Sequence, residues 1–280
     1  MTQTVSECLR VAPSLNASSD SARLDTEILL AHSLGKTRTW LYTWPESQLT
    51  PAQLKQFERL MRARAQGAPI AYLTGVQEFW SLPLKVTEHT LIPRPETELL
   101  VELVLALSLG EMARVLDLGT GTGAIALALA HEKKHWQITA VDRIAEAVSL
   151  AEDNARTLQL SVKVLQSDWF AALAQGDVFD VIVSNPPYID GADPHLHQGD
   201  VRFEPHSALV ANAEGLADIE HIITQSGRFL APGGWLLLEH GWQQAPAVQE
   251  LLHTYGFSQV RSECDLAGHL RVSLGRWGEV

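Results

Sequence analysis

Two short stretches of the 280-residue chain combine residue types and spacings that chemistry can use. The first, Gly119-Thr120-Gly121-Thr122-Gly123, lies between the apolar run "ARVLDL" and the helix-compatible run "AIALALA". Glycine permits a tight turn and lets a ligand approach without a Cβ in the way, and a helix starting there offers unpaired N–H groups. A strand, a glycine turn and a helix in that order suit a nucleotide-like ligand, although a structural tight turn would use the same residues. The second stretch, Asn185-Pro186-Pro187-Tyr188, ends the run "FDVIVS" and contains no acid, base or thiol. A rigid turn would explain its two prolines. It would not explain an amide and a phenol beside them.

Asp142 closes the next apolar run, "WQITAVD", nineteen residues after Gly123. In an open parallel sheet the carboxyl ends of adjacent strands line one crevice, where an acid can accept both hydroxyls of a ribose. An adenosine-containing cofactor fits, without deciding between NAD and S-adenosylmethionine. The spacing G-x-G-x-G departs from the dinucleotide pattern G-x-G-x-x-G, and no G-K-[ST] follows, so a P-loop phosphate cradle is not expected.

Positioning these residues requires a sheet. The runs at 113–118, 136–142, 162–167 and 179–184 are short and rich in β-branched residues, and helix-compatible or looping segments follow the first three. That alternation predicts an α/β fold with a mostly parallel sheet covered on both faces. "GGWLLLEH" adds a strand, and "FSQVRSECD" with "HLRVSLGRW" predicts a terminal antiparallel hairpin. Upstream, "PRPETELLVELVLALSL" predicts a long helix with Pro95 near its start and Glu96 and Glu98 in its first turn.

Residues 1–75 predict a separate, all-helical N-terminal domain. One helix is capped by Asp20 or Ser21, carries an apolar stripe of Leu24, Ile28, Leu29 and His32, and stops at Gly35. Another is capped by Thr50, starts at Pro51, presents Leu54, Phe57, Leu60 and Met61, and ends at Gly67. Lys55, Arg59 and Arg62 share one of its faces, with Arg64 nearby, and a solvated face is the ordinary reading. Residues 76–92 form a hairpin-like connector, and 93–280 the second domain.

The formal net charge is −12. It is uneven: residues 1–80 carry 8 Lys and Arg against 7 Asp and Glu, and the remainder 13 against 26. This argues against a broad grip on nucleic acid. Cys8 and Cys264 form no CxxC pair, so neither a disulfide framework nor a zinc site is indicated. No run of about 18 apolar residues and no signal-peptide pattern occurs, and a soluble cytoplasmic protein is expected. His195, His197 and His206 include an H-x-H spacing, but a polar substrate-facing loop fits them better than a metal site.

Taken together, "LIPRPETELL", "LDLGTGTGAIALALA", "AVD", "SDWF" and "VSNPPYI" occur in an order that resembles class I S-adenosylmethionine-dependent methyltransferases acting on planar nitrogens. Over nearly the whole chain the pattern is similar to the protein-glutamine methyltransferases that modify bacterial peptide chain release factors, the PrmC/HemK family. The resemblance implies a Rossmann-like sheet and S-adenosylmethionine bound by Gly119, Thr120, Gly121, Thr122, Gly123, Asp142, Trp169 and Asn185. Asp168 would accept from the adenine amino group, while Arg94, Glu96 and Glu98 would help close the cleft without a catalytic role.

The same resemblance places a glutamine side chain against Asn185, Pro186, Pro187 and Tyr188. The Asn185 side-chain oxygen and the Pro186 carbonyl would accept its two N–H protons, and Tyr188 would stack on the planar amide. The substrate implied is the glutamine of the GGQ motif of a class I release factor. That factor would be docked by the helical domain of a monomeric enzyme with no direct nucleic-acid contact. Two other readings remain: an amino-methyltransferase acting on an exocyclic base nitrogen of DNA or RNA, and a catalytically silent cofactor-binding module.

Overall fold

The computed structural model describes residues 3–278, the side chain of His197 excepted. The chain divides into two compact units. One takes Val76 and the residues before it together with His197–Phe203, and the other runs from Gln77 to Leu196 and from Glu204 onward. The expected boundary at 75 thus falls one residue later, and the expected continuous second domain is interrupted.

The first unit is helical: α1 (Val5–Leu9), α2 (Ala22–Leu34), α3 (Arg38–Thr43), α4 (Pro51–Ala65) and α5 (Ile70–Thr74). In α4 the Thr50 hydroxyl accepts from the Gln53 N–H while the Gln53 side chain accepts from the Thr50 N–H, a reciprocal cap with Pro51 in the first turn. Phe57, Leu60 and Met61 are buried and Leu54 packs against their cluster, as the spacing predicts. The stripe expected for α2 is rotated. Leu24 and His32 are exposed, and the buried face carries Asp25, Thr26, Glu27, Leu29 and Leu30.

The rotation has an electrostatic cause. Arg64, on the inner side of α4 rather than its solvated face, donates through Nε to Asp25 at 2.7 Å and through Nη1 to Asp200 at 3.0 Å. Ser19 and Ser21 hydroxyls also donate to Asp25. Glu27 takes Arg23, Arg38 and the Tyr42 hydroxyl, which hold its carboxyl down at about 2 against the cost of burial. Each buried carboxylate is paired, and pairing decides which face of α2 turns inward.

In the second unit, two short paired strands, Val76–Phe79 and Leu82–Lys85, begin the connector. After a 3-10 turn at Pro95–Thr97 comes α6 (Glu98–Ala106). This helix is shorter than expected because Leu107 and Leu109 leave it to pack on the core. Then follow β1 (Arg114–Leu118), α7 (Ala124–Glu132), β2 (Gln137–Asp142), α8 (Ala145–Leu158), β3 (Lys163–Gln166) and β4 (Phe179–Ser184). The chain continues with α9 (His206–Leu209), α10 (Ala217–Ser226), β5 (Leu230–Glu239), α11 (Ala245–Thr254), β6 (Phe257–Cys264) and β7 (Leu270–Trp277).

The seven strands are ordered β6-β7-β5-β4-β1-β2-β3, parallel except for the two pairs made by β7. Successive residues feed opposite cores. Val115, Val181, Val183 and Leu237 join one cluster with α6 and α7, and Leu116, Ile182, Leu236 and Leu238 join another with α10 and α11. Apolar residues on both sides of each strand are the signature of a sheet buried on two faces.

Replacing Arg64 with Met, which keeps the stem and removes the guanidinium, leaves Asp25 buried without its cation. We expect the helical unit to lose about 3–5 kcal/mol, read as a lowered midpoint in urea denaturation; an unshifted midpoint would refute the pairing argument.

Candidate active site

Register brings the two sequence motifs together. Leu118, the last residue of β1, pairs with Val141 of β2 and Ser184 of β4, so these three strands end level. The Ser184 hydroxyl donates to the Leu118 carbonyl at 2.7 Å, and the Gly119 and Thr120 N–H groups both donate to the Val141 carbonyl at 2.9 Å. The glycine turn, Asp142 and Asn185 therefore leave the sheet at one edge.

A cleft of about 910 Å³ opens there. Among its walls are Gly119, Thr120, Gly121, Thr122, Asp142, Ile144, Asp168, Trp169, Asn185 and Pro187, with Thr90, Leu91, Arg94 and Thr97 contributed from before β1. Gly119 and Gly121 have φ of 72° and 55°. Gly119 must also stay bare, because a Cβ there would stand 3.4 Å from the Trp169 ring. Trp169 itself has a left-handed φ of 48°, and the Ser167 hydroxyl, which donates to the Trp169 carbonyl at 2.7 Å, braces that turn.

Asp142 accepts from the Gly121 N–H through Oδ2 and from the Ile144 N–H through Oδ1, both at 2.9 Å. A carboxylate has about four lone-pair sites, so two remain for hydroxyl donors. Bare glycine backbone, a pinned carboxylate and the apolar surfaces of Trp169, Leu91 and Ile144 fit the methionine part, ribose and adenine of an adenosine-based sulfonium cofactor. Gly123 does something else. It does not line the cleft, and a Cβ there would lie 3.0 Å from Leu127 Cδ1 and 3.3 Å from Ala151, so its bareness serves the packing of α7 against α8.

Several residues that hold the site carried no expectation. Asp117 is buried beneath the turn, accepts from the Thr120 hydroxyl at 2.6 Å and from the Ala126 N–H, and leaves Oδ1 without a partner. Burial pushes its pKa up to about 7. Asn154 braces the turn from behind, donating to the Thr122 carbonyl at 2.9 Å while exchanging hydrogen bonds with the backbone of Lys85. Arg94 reaches the buried Glu204 at 2.6 Å, which ties the cleft wall to the segment after the Asn-Pro-Pro-Tyr turn. Glu98 accepts from the Trp80 N–H at 2.7 Å, and Glu96 is exposed.

Around Asn185 the arrangement is specific. Its Nδ2 donates to Thr97 Oγ1 at 3.1 Å. Pro187 lines the cleft but Pro186 and Tyr188 do not. The Tyr188 ring packs on the lower core, and its hydroxyl donates to Glu239 Oε1 at 3.1 Å, with burial raising the phenol well above its usual range. Gly215 approaches the Tyr188 carbonyl so closely that a Cβ would meet it at 2.1 Å, and Gln244 donates to the same oxygen at 3.0 Å. His195 and His206 are exposed and outside the cleft. Among the described residues no cluster of three or more metal-ligating side chains occurs.

The strand order and this cleft define an S-adenosylmethionine-dependent methyltransferase of the class I fold. The fold is similar to that of a methyltransferase from Pyrococcus furiosus (TM-score 0.55, 19% identity, 80% of this chain and 99% of that one). It is also similar to the hMettl16 catalytic domain (TM-score 0.57, 19% identity, 78% and 81%). Two family models match, the PrmC N-terminal domain over residues 9–75 and the methyltransferase small domain over residues 95–202. The release factor glutamine methyltransferase of Escherichia coli (strain K12) is 56% identical over 270 residues, 96% of this chain and 97% of that one. That of Pseudomonas aeruginosa is 54% identical over 271 residues, 96% and 98%. The chain belongs to the release factor glutamine methyltransferase family.

Removing the Asp142 carboxylate by Asp142→Ala should weaken cofactor binding about tenfold or more in titration calorimetry, because charged hydrogen bonds contribute about 1.5–3 kcal/mol. Gly119→Ala should weaken it as well, through the left-handed φ and the encroachment on Trp169; unchanged affinity in either variant would contradict the assignment of this cleft.

Proposed function

We infer that the protein transfers a methyl group to the side-chain amide nitrogen, N5, of the GGQ glutamine in a bacterial class I peptide chain release factor. The observation that carries this reading is Asn185 at the cleft wall with its own NH₂ committed to Thr97, which turns Oδ1 toward incoming donors. A glutamine amide brings two such donors.

Bound in the cleft, S-adenosylmethionine supplies a methyl already activated on a sulfonium, whose C–S bond breaks as the N–C bond forms. An amide nitrogen is a poor nucleophile because its lone pair is shared with the carbonyl, so the protein's task is alignment and local charge stabilisation. Asn185 Oδ1 and the Pro186 carbonyl accept the two N–H groups, fix the amide plane and meet the growing positive charge with two acceptor dipoles. One proton then leaves the nitrogen for solvent, and the amide is neutral again. Pro186 and Pro187 keep the turn rigid, having fixed φ and no N–H of their own. The burial of the Tyr188 hydroxyl on Glu239 supports a role for the ring in bracing this turn.

The helical unit is assigned the docking of the release factor, and the exposed Tyr42 and Trp44 on and beside α3 supply aromatic surface suited to a protein partner. The test is incubation with S-adenosylmethionine and a bacterial release factor, followed by peptide mass mapping. One added CH₂ on the GGQ glutamine is expected. Methylated DNA or RNA with an unmodified factor would overturn the assignment. Asn185→Ala should lower kcat about a hundredfold or more while the cofactor Kd changes only a few-fold.

A further inference from the structure

Glu239 ends the apolar run Trp235-Leu236-Leu237-Leu238 at the carboxyl end of β5, one strand away from Asn185, and is 1% exposed. No step described above uses it. Its Oε1 takes the Tyr188 hydroxyl, its Oε2 is buried with no hydrogen-bond partner, and the Thr97 hydroxyl faces the same carboxylate and favours its charge. The other charged groups bearing on it and on Tyr188 are Arg271 from β7 and Arg94 and Glu96 from the segment before α6.

These contacts form a chain with a direction. An ionised carboxylate only accepts, so the single O–H of Thr97 points to Glu239. Thr97 then has only lone pairs to offer Asn185, which must present its NH₂ to Thr97 and its oxygen to the cleft. A neutral, protonated Glu239 reverses each link: its O–H points to Thr97, the Thr97 O–H points to Asn185, and the Asn185 amide turns over to put its NH₂ where the substrate N–H must go.

We propose that Glu239 is a positioning residue that acts through Thr97 to hold the Asn185 amide with Oδ1 facing the substrate. This rests on reading Asn185 as the acceptor of a glutamine N–H. It assigns a role in the reaction to a side chain outside both sequence motifs, and makes the polarity of the acceptor depend on a proton held on β5. Burial raises the Glu239 pKa to about 7, so its charge is present above neutrality and lost below it.

The test compares the full-length wild type with Thr97→Val, Thr97→Ser and Glu239→Gln, using a bacterial release factor as substrate and S-adenosylmethionine at saturation. Thr97→Val should lower kcat about tenfold to a hundredfold with the cofactor Kd nearly unchanged, and Thr97→Ser, which keeps the hydroxyl, should recover most of the loss. Wild-type kcat should rise with pH across neutrality. Glu239→Gln, a neutral mimic of the protonated acid, should show a low kcat without that rise. Asp117 titrates in the same range but beneath the cofactor turn, so its effect falls on cofactor affinity and is removed by saturation. Equal kcat in Thr97→Val and wild type, or a loss that Thr97→Ser does not restore, would overturn the proposal even if Glu239→Gln fails to fold. Active wild type with unaffected variants would remove this inference alone, whereas wild type inert on the release factor would remove the functional assignment with it.

Discussion

The site depends on one constraint: β1, β2 and β4 are adjacent, parallel and in register at their carboxyl ends. Parallel pairing fixes that all three chains leave the sheet in the same direction, and the pairing of Leu118 with both Val141 and Ser184 fixes that they leave at the same height. Motifs more than sixty residues apart in sequence then share one edge. A slip of a single residue in any of these pairs would turn every apolar side chain of that strand toward the opposite core. The two packed faces thus enforce the alignment of the cleft, and the hydrophobic cores contribute to chemistry through geometry.

On that frame, buried carboxylates set the orientation of polar groups. Asp117 holds the glycine turn from below, Asp142 from the side, and Glu204 draws Arg94 to the wall. Each sits at or near the end of an apolar element or in a loop packed on one. There the cost of burying charge is offset by hydrogen bonds from backbone and hydroxyl donors. The first unit applies the same device for stability, with Arg64 between Asp25 and Asp200.

Much of this was legible in the sequence. The strand runs at 113–118, 136–142, 162–167 and 179–184 match β1 to β4 within a residue, because period and β-branching report a sheet buried on both faces. The glycine turn, Asp142, Trp169 and Asn185 meet in one cleft as their order implied. The failures share a cause. Gly123 looked like a ligand contact because its spacing matched the turn, but local spacing does not reveal that α8 presses against it. Leu24 looked like core because hydropathy ignores ion pairs, and Arg64 looked solvated for the same reason. Asp117 and Glu239 did carry a signal, an acid inside or closing a run of Leu and Val, yet their partners lie far away in the chain and only tertiary structure names them.

One topological detail bears on how the chain is made. Residues His197–Phe203 belong to the first compact unit, where Asp200 accepts from Arg64 and Arg202 donates to the Gln66 carbonyl, each across 136 residues. During synthesis from the N-terminus, the five helices emerge early but lack this segment until β1 to β4 have also left the ribosome. The helical unit cannot complete its own hydrogen bonding ahead of the catalytic sheet. Its maturation is therefore timed by the sheet, and a nascent chain stopped before residue 200 would carry Arg64 with only part of its anionic shell.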